Sequence, residues 1–169
     1  DDKTIVRFGL GYAPNDGQAL YQFLRDKGYN QQELDASGLF KRSQSGRIYC
    51  LFWKRVMTPI FDLRGNIIAF GGRVLSSATK GVKVKYVNSP ESEIYHKSSE
   101  LYGIYFAKQA IVKQDRCFLV EGYTDVISMH QSGVENVVAS SGTALTPGQI
   151  KLIHRFTNNI TVLYDCLLY

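Results

Sequence analysis

The chain has 169 residues, 44% of them hydrophobic and 21% charged, with a formal net charge of +5. This suits one sizeable core or two small subdomains sharing a face, in an ordinary soluble globular protein. No apolar run approaches the ~20 residues of a membrane span, and the start Asp1-Asp2-Lys3-Thr4 does not resemble a signal peptide, so a cytoplasmic protein is expected.

Cys50, Cys117 and Cys166 are odd in number and far apart, which excludes a readable disulfide framework or zinc site. Cys117, inside an apolar run, reads as a buried small hydrophobe. The charge is unevenly spread. Between Lys41 and Lys97 there are eleven Lys or Arg against Asp62, Glu91 and Glu93, a net +8, while the rest of the chain carries −3. A basic middle joined to a mildly acidic end points to a polyanionic partner for the middle.

In chain order, Asp16 opens a helical pattern with Leu20, Phe23 and Leu24 on one face and Gly28 after its end. Asn30 caps a shorter helix, Gln31 to Ser37, stopped by Gly38. The opening therefore reads as a small helical packing unit. Arg55 to Phe61 and Ile67 to Leu75 are strand-like, joined by the turn Asp62-Leu63-Arg64-Gly65-Asn66, and antiparallel pairing is expected. Ser76 to Lys83 is a small-residue, lysine-containing loop.

Ser99 opens the clearest helical pattern, with Leu101, Ile104, Tyr105, Ala107, Lys108 and Ile111 at helical spacing. The order then becomes β-α-β-α-β. Cys117 to Val120 is a strand, Tyr123 to Gln131 a helix ended by Gly133, and Val137 to Ser140 the second strand. Thr146-Pro147 caps and opens a helix through Phe156, and Ile160 to Tyr164 is the third strand. Short helices alternating with strands predict a parallel, Rossmann-like sheet. The expected fold is a basic mixed α+β subdomain, 1–115, followed by an α/β domain, 116–169.

The sharpest chemical signal is Cys117-Phe118-Leu119-Val120-Glu121-Gly122. A carboxylate ending a buried apolar run is costly to desolvate unless something compensates it, and ligands of open α/β sheets sit at that end. Ile160 to Tyr164 repeats the arrangement, running into Asp165. Two acids ending two strands of one sheet suit a hard divalent cation, and Glu121 and Asp165 are the candidate metal ligands. The structural alternative is that Glu121 complements the dipole of the following helix. Asp125, four residues on, could orient a metal's water shell or do the same. Ser140-Ser141-Gly142-Thr143 ends the second strand with amides and hydroxyls that suit an anion.

In the basic segment, Arg73 follows Gly71-Gly72, and Lys85-Tyr86-Val87-Asn88-Ser89-Pro90 and His96-Lys97 come after the lysine loop. Cations on strands with Tyr86 and Tyr95 between them would contact phosphates by charge and bases by stacking. Tyr102 and Tyr105, at helical spacing, read as core.

Glu121-Gly122-Tyr123-Thr124-Asp125-Val126 resembles the glutamate motif of the TOPRIM domain of primases, topoisomerases and some nucleases. The chain also carries Phe8-Gly9-Leu10-Gly11-Tyr12-Ala13-Pro14, Phe70-Gly71-Gly72-Arg73-Val74, Lys85-Tyr86-Val87-Asn88-Ser89-Pro90-Glu91, His96-Lys97 with Leu101-Tyr102-Gly103, and Ser141-Gly142-Thr143-Ala144-Leu145. Together these resemble the bacterial replicative DNA primases of the DnaG type, in register from about Arg7 to Asp165.

The resemblance implies a catalytic-core piece of an RNA polymerase that copies single-stranded DNA into short RNA primers. It implies an incomplete TOPRIM domain and Mg²⁺ or Mn²⁺ as cofactor. The implied partners are a single-stranded DNA template, ribonucleoside triphosphates, the RNA–DNA hybrid product and, through a carboxyl-terminal module, the replicative helicase; no membrane is involved. Carried over by position, Glu121 is a metal ligand and the candidate for helping deprotonate the attacking 3′-hydroxyl, and Asp165 is the first acid of the family's Asp-x-Asp pair; Asp125, from its place in the first helical turn, is the third catalytic candidate. Arg55, Arg73, Lys85 and Lys97 match the family's basic positions, with Asn88 and Ser89 beside them as nucleotide contacts, and Tyr86 joins them as the stacking candidate read from the residues. The family's Asp-Gly-Asp continuation is here Asp165-Cys166-Leu167, with Leu167 at the second acid, which implies impaired metal binding. A non-catalytic single-stranded nucleic-acid-binding piece and another TOPRIM enzyme are the competing expectations.

Overall fold

A computed structural model describes residues 1–75, 84–140 and 144–164. Contacts divide them into two packing units. One holds Gly9–Pro59 and Ala69–Ser92; the other holds Asp1–Phe8, Ile60–Ile68 and the chain from Glu93 onward.

The first unit contains helices α2 (Ala19–Asp26) and α3 (Gln31–Ala36), which begin within a few residues of the expected starts. Asp16 stands just ahead of α2, its carboxylate accepting the Gln18 and Ala19 N–H groups at 2.9 and 3.1 Å. Asn30 caps α3 in a reciprocal box with Glu33. The opening is nevertheless not purely helical. Strand β1 (Gly11–Ala13) pairs antiparallel with β4 (Arg55–Phe61), and β2 (Phe40–Arg42) pairs with β3 (Ile48–Cys50). Three-residue strands are too short to show an alternating pattern and exist only through their partners, so periodicity could not reveal them. A four-stranded sheet runs β1-β4-β5-β6, where β5 is Ile67–Val74 and β6 is Tyr86–Asn88. The expected 62–66 turn is present, closed by Asp62 and Asn66 backbone pairing at 3.0 Å. Ser76 to Lys83 lies outside the described residues.

The second unit is built on a three-stranded parallel sheet, β8-β7-β9. Its strands are β7 (Cys117–Val120), β8 (Val137–Ala139) and β9 (Ile160–Val162). Central β7 is a nearly continuous apolar run because helices and strands cover it on all sides. Helices α4 (Ile104–Gln114), α5 (Tyr123–Gln131) and α6 (Pro147–Ile153) supply the covering. Leu101, Ile104, Ala107, Ile111, Cys117, Leu119, Val138, Leu152 and Ile153 form one buried cluster. Each large aliphatic side chain there contributes roughly 1.5–3 kcal/mol by leaving water. Burial pushes the Cys117 thiol up to about 12, so it behaves as a small hydrophobe.

Two further differences stand out. Helix α1 (Asp2–Phe8) was not anticipated; it is anchored by the Asp1 carboxylate on the Thr4 N–H and buries Thr4 and Phe8. The expected helix from Ser99 starts only at Ile104. Gly103, at φ +86°, breaks the chain ahead of it, and Tyr102 instead exchanges two backbone hydrogen bonds with Ala139 beside the parallel sheet. Tyr102 is buried, as its spacing suggested, stacks with Phe8 and meets Tyr123 edge-on.

Candidate functional site

Parallel β7 and β9 are direct neighbours, with Cys117, Phe118 and Leu119 in register with Ile160, Thr161 and Val162. The Leu163 N–H donates to the Leu119 carbonyl at 2.8 Å and extends the pairing past β9. Glu121 follows β7 directly and is exposed, whereas Leu119 and Val120 behind it are buried. Asp125 lies in the first turn of α5, and its Oδ2 accepts the Gly122 N–H at 3.1 Å. Glu121, Asp125, Val120, Ser128, Met129 and Leu163 line one cavity of about 310 Å³. The structure thus brings Glu121 and Asp125 to one hollow at the carboxyl edge of the sheet. Asp165, two residues beyond Leu163, lies outside the described residues, as do Ser141-Gly142-Thr143 and Cys166.

Among the described residues, no group of three or more His, Cys, Asp or Glu is arranged to hold a metal ion. The donor chemistry does fit a hard divalent cation: two carboxylates on one cavity, with no thiol or imidazole among the lining residues.

Lys97 belongs to the same packing unit. Its segment is held by the start of α6. Gln149, fully buried, donates from Nε2 to the Lys97 and Glu100 carbonyls, both at 3.0 Å. Thr146 Oγ1 donates to the Ser98 carbonyl at 2.5 Å. Burial and the neighbouring Asp62 carboxylate push the Glu100 carboxyl above its ordinary value, with His96 pulling the other way. Thr146-Pro147-Gly148-Gln149 has capping-box spacing, and both halves of the box are formed. Nothing in the local sequence of Gln149 reports that its amide also reaches back about fifty residues.

The remaining candidates lie in the other unit. Arg73 and Tyr86 are register partners across β5 and β6, and β6 is an edge strand. The Tyr86 ring, 46% exposed, has the Arg73 guanidinium 5.5 Å and the Lys85 ammonium 5.7 Å from its centroid. Asn88, on the same strand as Tyr86, pairs with Gly71 of β5. Ser89 is buried, and its hydroxyl accepts the Phe70 N–H at 3.0 Å while its own N–H donates to the Phe70 carbonyl at 2.9 Å. Arg55 is only 3% exposed, and its guanidinium donates to the carbonyls of Val84, Lys85 and Gly72 at 2.7, 3.0 and 3.4 Å. Burial pulls that guanidinium below its ordinary value. Arg73, Lys85 and Tyr86 therefore form an exposed cationic and aromatic surface, whereas Arg55 and Ser89 brace the backbone around it.

Residues 1–108 match the family described as the DNA primase catalytic core, N-terminal domain. The chain belongs to this family. Residues 118–166 match a second family, described as Toprim-like, and membership implies use of a divalent metal. The chain is 46% identical over 165 residues to a DNA primase of Clostridium acetobutylicum, an alignment covering 98% of this chain and 27% of the relative. It therefore spans about a quarter of the length of the curated primases it matches. The RNA polymerase domain of the Mycobacterium tuberculosis primase DnaG superposes with a TM-score of 0.87 at 35% identity, over 97% of this chain and 55% of that one. A DnaG primase catalytic domain bound to single-stranded DNA superposes at 0.85 with 40% identity, over 98% and 50%. Among the described residues, no helix is long and apolar enough to cross a membrane.

Proposed function

We propose that this chain supplies the nucleotide- and template-handling part of a primase core that synthesises RNA primers on single-stranded DNA. The observation that carries the proposal is the meeting of Glu121 and Asp125 on one cavity, at the end of a buried strand paired in parallel with β9; in the sequence, Asp165 comes three residues after β9. The domain organisation that goes with this reading is a basic subdomain, 1–115, and a Toprim part, 116–169.

Glu121 and Asp165 would hold Mg²⁺ or Mn²⁺, with Asp125 beside them. A bound divalent cation would stabilise charge on the attacking and leaving oxygens during phosphoryl transfer. Glu121 also accepts the proton of the primer 3′-hydroxyl as its oxygen bonds to the α-phosphorus of a ribonucleoside triphosphate and pyrophosphate departs. Arg73, Lys85 and Lys97 neutralise phosphate oxygens, while Tyr86 offers a face to a base. Asn88 lies beside this surface as a polar contact. Arg55 and Ser89 act at one remove, by holding the strands that carry those groups. The partners of this reading are the template, ribonucleoside triphosphates, the RNA–DNA hybrid and, in the longer protein, the replicative helicase; its location is the cytoplasm, at the replication fork.

The test is incubation of the chain with a single-stranded template and ribonucleoside triphosphates, with and without Mg²⁺ or Mn²⁺. Metal-dependent RNA complementary to the template supports the proposal. Template binding without RNA synthesis favours a non-catalytic binding role, and loss of both defeats each reading.

A further inference from the structure

We infer that the first turn of α6 is a positioning device for Lys97, with Gln149 as its central residue. The inference rests on the reading of Lys97 as a nucleotide contact and extends it to a residue that contacts no nucleotide itself.

The Lys97–Glu100 segment has no regular secondary structure, yet three of its four carbonyls are held by one helical turn. Gln149 Nε2 donates to Lys97 O and Glu100 O, and Thr146 Oγ1 donates to Ser98 O. The Gln149 amide cannot rotate away without loss, because its Oε1 accepts the Thr146 N–H at 3.2 Å. Gln149 has no exposed surface, so every one of its hydrogen bonds must be made inside the protein. Gly148 completes the seat: a Cβ there would lie 2.6 Å from Ser98 O, and only a bare Cα lets the segment approach so closely.

The same helix is fixed to the catalytic edge. Leu152 and Ile153 of α6 pack in the cluster that contains Leu119, and Glu121 stands two residues after Leu119. Lys97 and Glu121 therefore share one packed frame. Lysine is a point charge on a flexible stem, so what a fold can fix for it is the backbone from which the stem starts. Gln149 fixes that backbone, so the Lys97 stem starts from a held point in the same packed frame that carries Glu121.

The experiment uses the 169-residue chain and a fluorescent ribonucleoside triphosphate, with affinity read by anisotropy and stability by urea unfolding. Lys97→Ala, Gln149→Met, their double variant and Gly148→Ala are compared. Gln149→Met keeps the volume and removes both donors. Gly148→Ala keeps every donor and displaces Ser98. The expected result is about tenfold weaker nucleotide binding for Lys97→Ala, for Gln149→Met and for Gly148→Ala, with the double variant no weaker than Lys97→Ala alone. Lowered stability with wild-type nucleotide affinity in Gln149→Met and Gly148→Ala, while Lys97→Ala binds weakly, overturns the inference and leaves the nucleotide reading of Lys97 standing. Wild-type affinity in Lys97→Ala overturns both. Where Gln149→Met does not fold, Gly148→Ala decides by the same criterion.

Discussion

The Asp125 carboxylate accepts the Gly122 N–H at 3.1 Å, so the acid four residues after Glu121 closes the turn on which Glu121 stands. An acid in the first turn of a helix satisfies an orphan N–H and complements the helix dipole. Asp125→Ala is expected to lower stability by about 1 kcal/mol, while Asp125→Asn retains an acceptor and loses less. Urea unfolding of the two variants checks the order; equal losses would separate Asp125 from the cap.

Glu121 is exposed, and its carboxylate is free to change without leaving a hole in the core. Glu121→Gln is therefore expected to unfold at the wild-type urea midpoint and to bind single-stranded DNA as wild type does. Its Mn²⁺ affinity, measured by the loss of the free-ion paramagnetic resonance signal, should fall by at least tenfold, because a neutral amide replaces a charged ligand. Unchanged Mn²⁺ binding would remove Glu121 from the proposed metal ligands.

The sequence carried the chemistry of this edge better than it carried the architecture around it. Cys117 to Val120 is apolar throughout and is followed by an acid, so the strand and the carboxylate at its end could both be read locally. The parallel strands and Thr146 cap were equally plain because each has a turn or cap signal of its own. What could not be read depends on distant partners. The three-residue strands β1, β2 and β3 exist through pairing alone, and Tyr102 leaves a good helical pattern to pair with Ala139. Arg55 illustrates the same limit at the site. Charge and position mark it as a phosphate contact, but burial and three carbonyl acceptors make it a brace.

That difference predicts separable phenotypes in the basic segment. Arg73 and Lys85 flank an exposed tyrosine, and neutralising either should weaken binding of a single-stranded oligonucleotide across all sequences. The slope of log K against log salt should flatten by roughly 0.7 for each phosphate contact removed. Titrations at several salt concentrations give the slope, and a wild-type slope in Arg73→Ala and Lys85→Ala together would exclude this surface from the template path.

Arg55→Lys, in contrast, should lower stability by about 2 kcal/mol, because an ammonium cannot reproduce the planar fork that meets the Val84 and Lys85 carbonyls. Its salt slope should stay at the wild-type value. A flattened slope with unchanged stability would make Arg55 a direct phosphate contact.

His130 gives the fold a pH dependence of its own. It is 6% exposed, packs edge-on against Phe8, and neither ring nitrogen has a hydrogen-bond partner. Burial, helped by the Arg7 guanidinium, lowers its pKa to about 4, with Glu135 opposing. The unfolded chain takes up a proton near the ordinary value of 6.5, whereas the folded protein resists until about pH 4. The neutral ring's contribution is therefore complete above pH 6.5 and is lost as the pH falls from there toward 4. Allowing for solvent screening, the loss is about 2 kcal/mol. Urea unfolding of wild type and His130→Leu between pH 7.5 and pH 4, in roughly half-unit steps, isolates this group: the variant should lack the part of the slope that lies between about 6.5 and 4. Parallel curves for the two proteins would show that His130 does not titrate with unfolding, and that the acid sensitivity belongs to carboxylates such as Glu135, which its bond to Arg7 holds below the ordinary range.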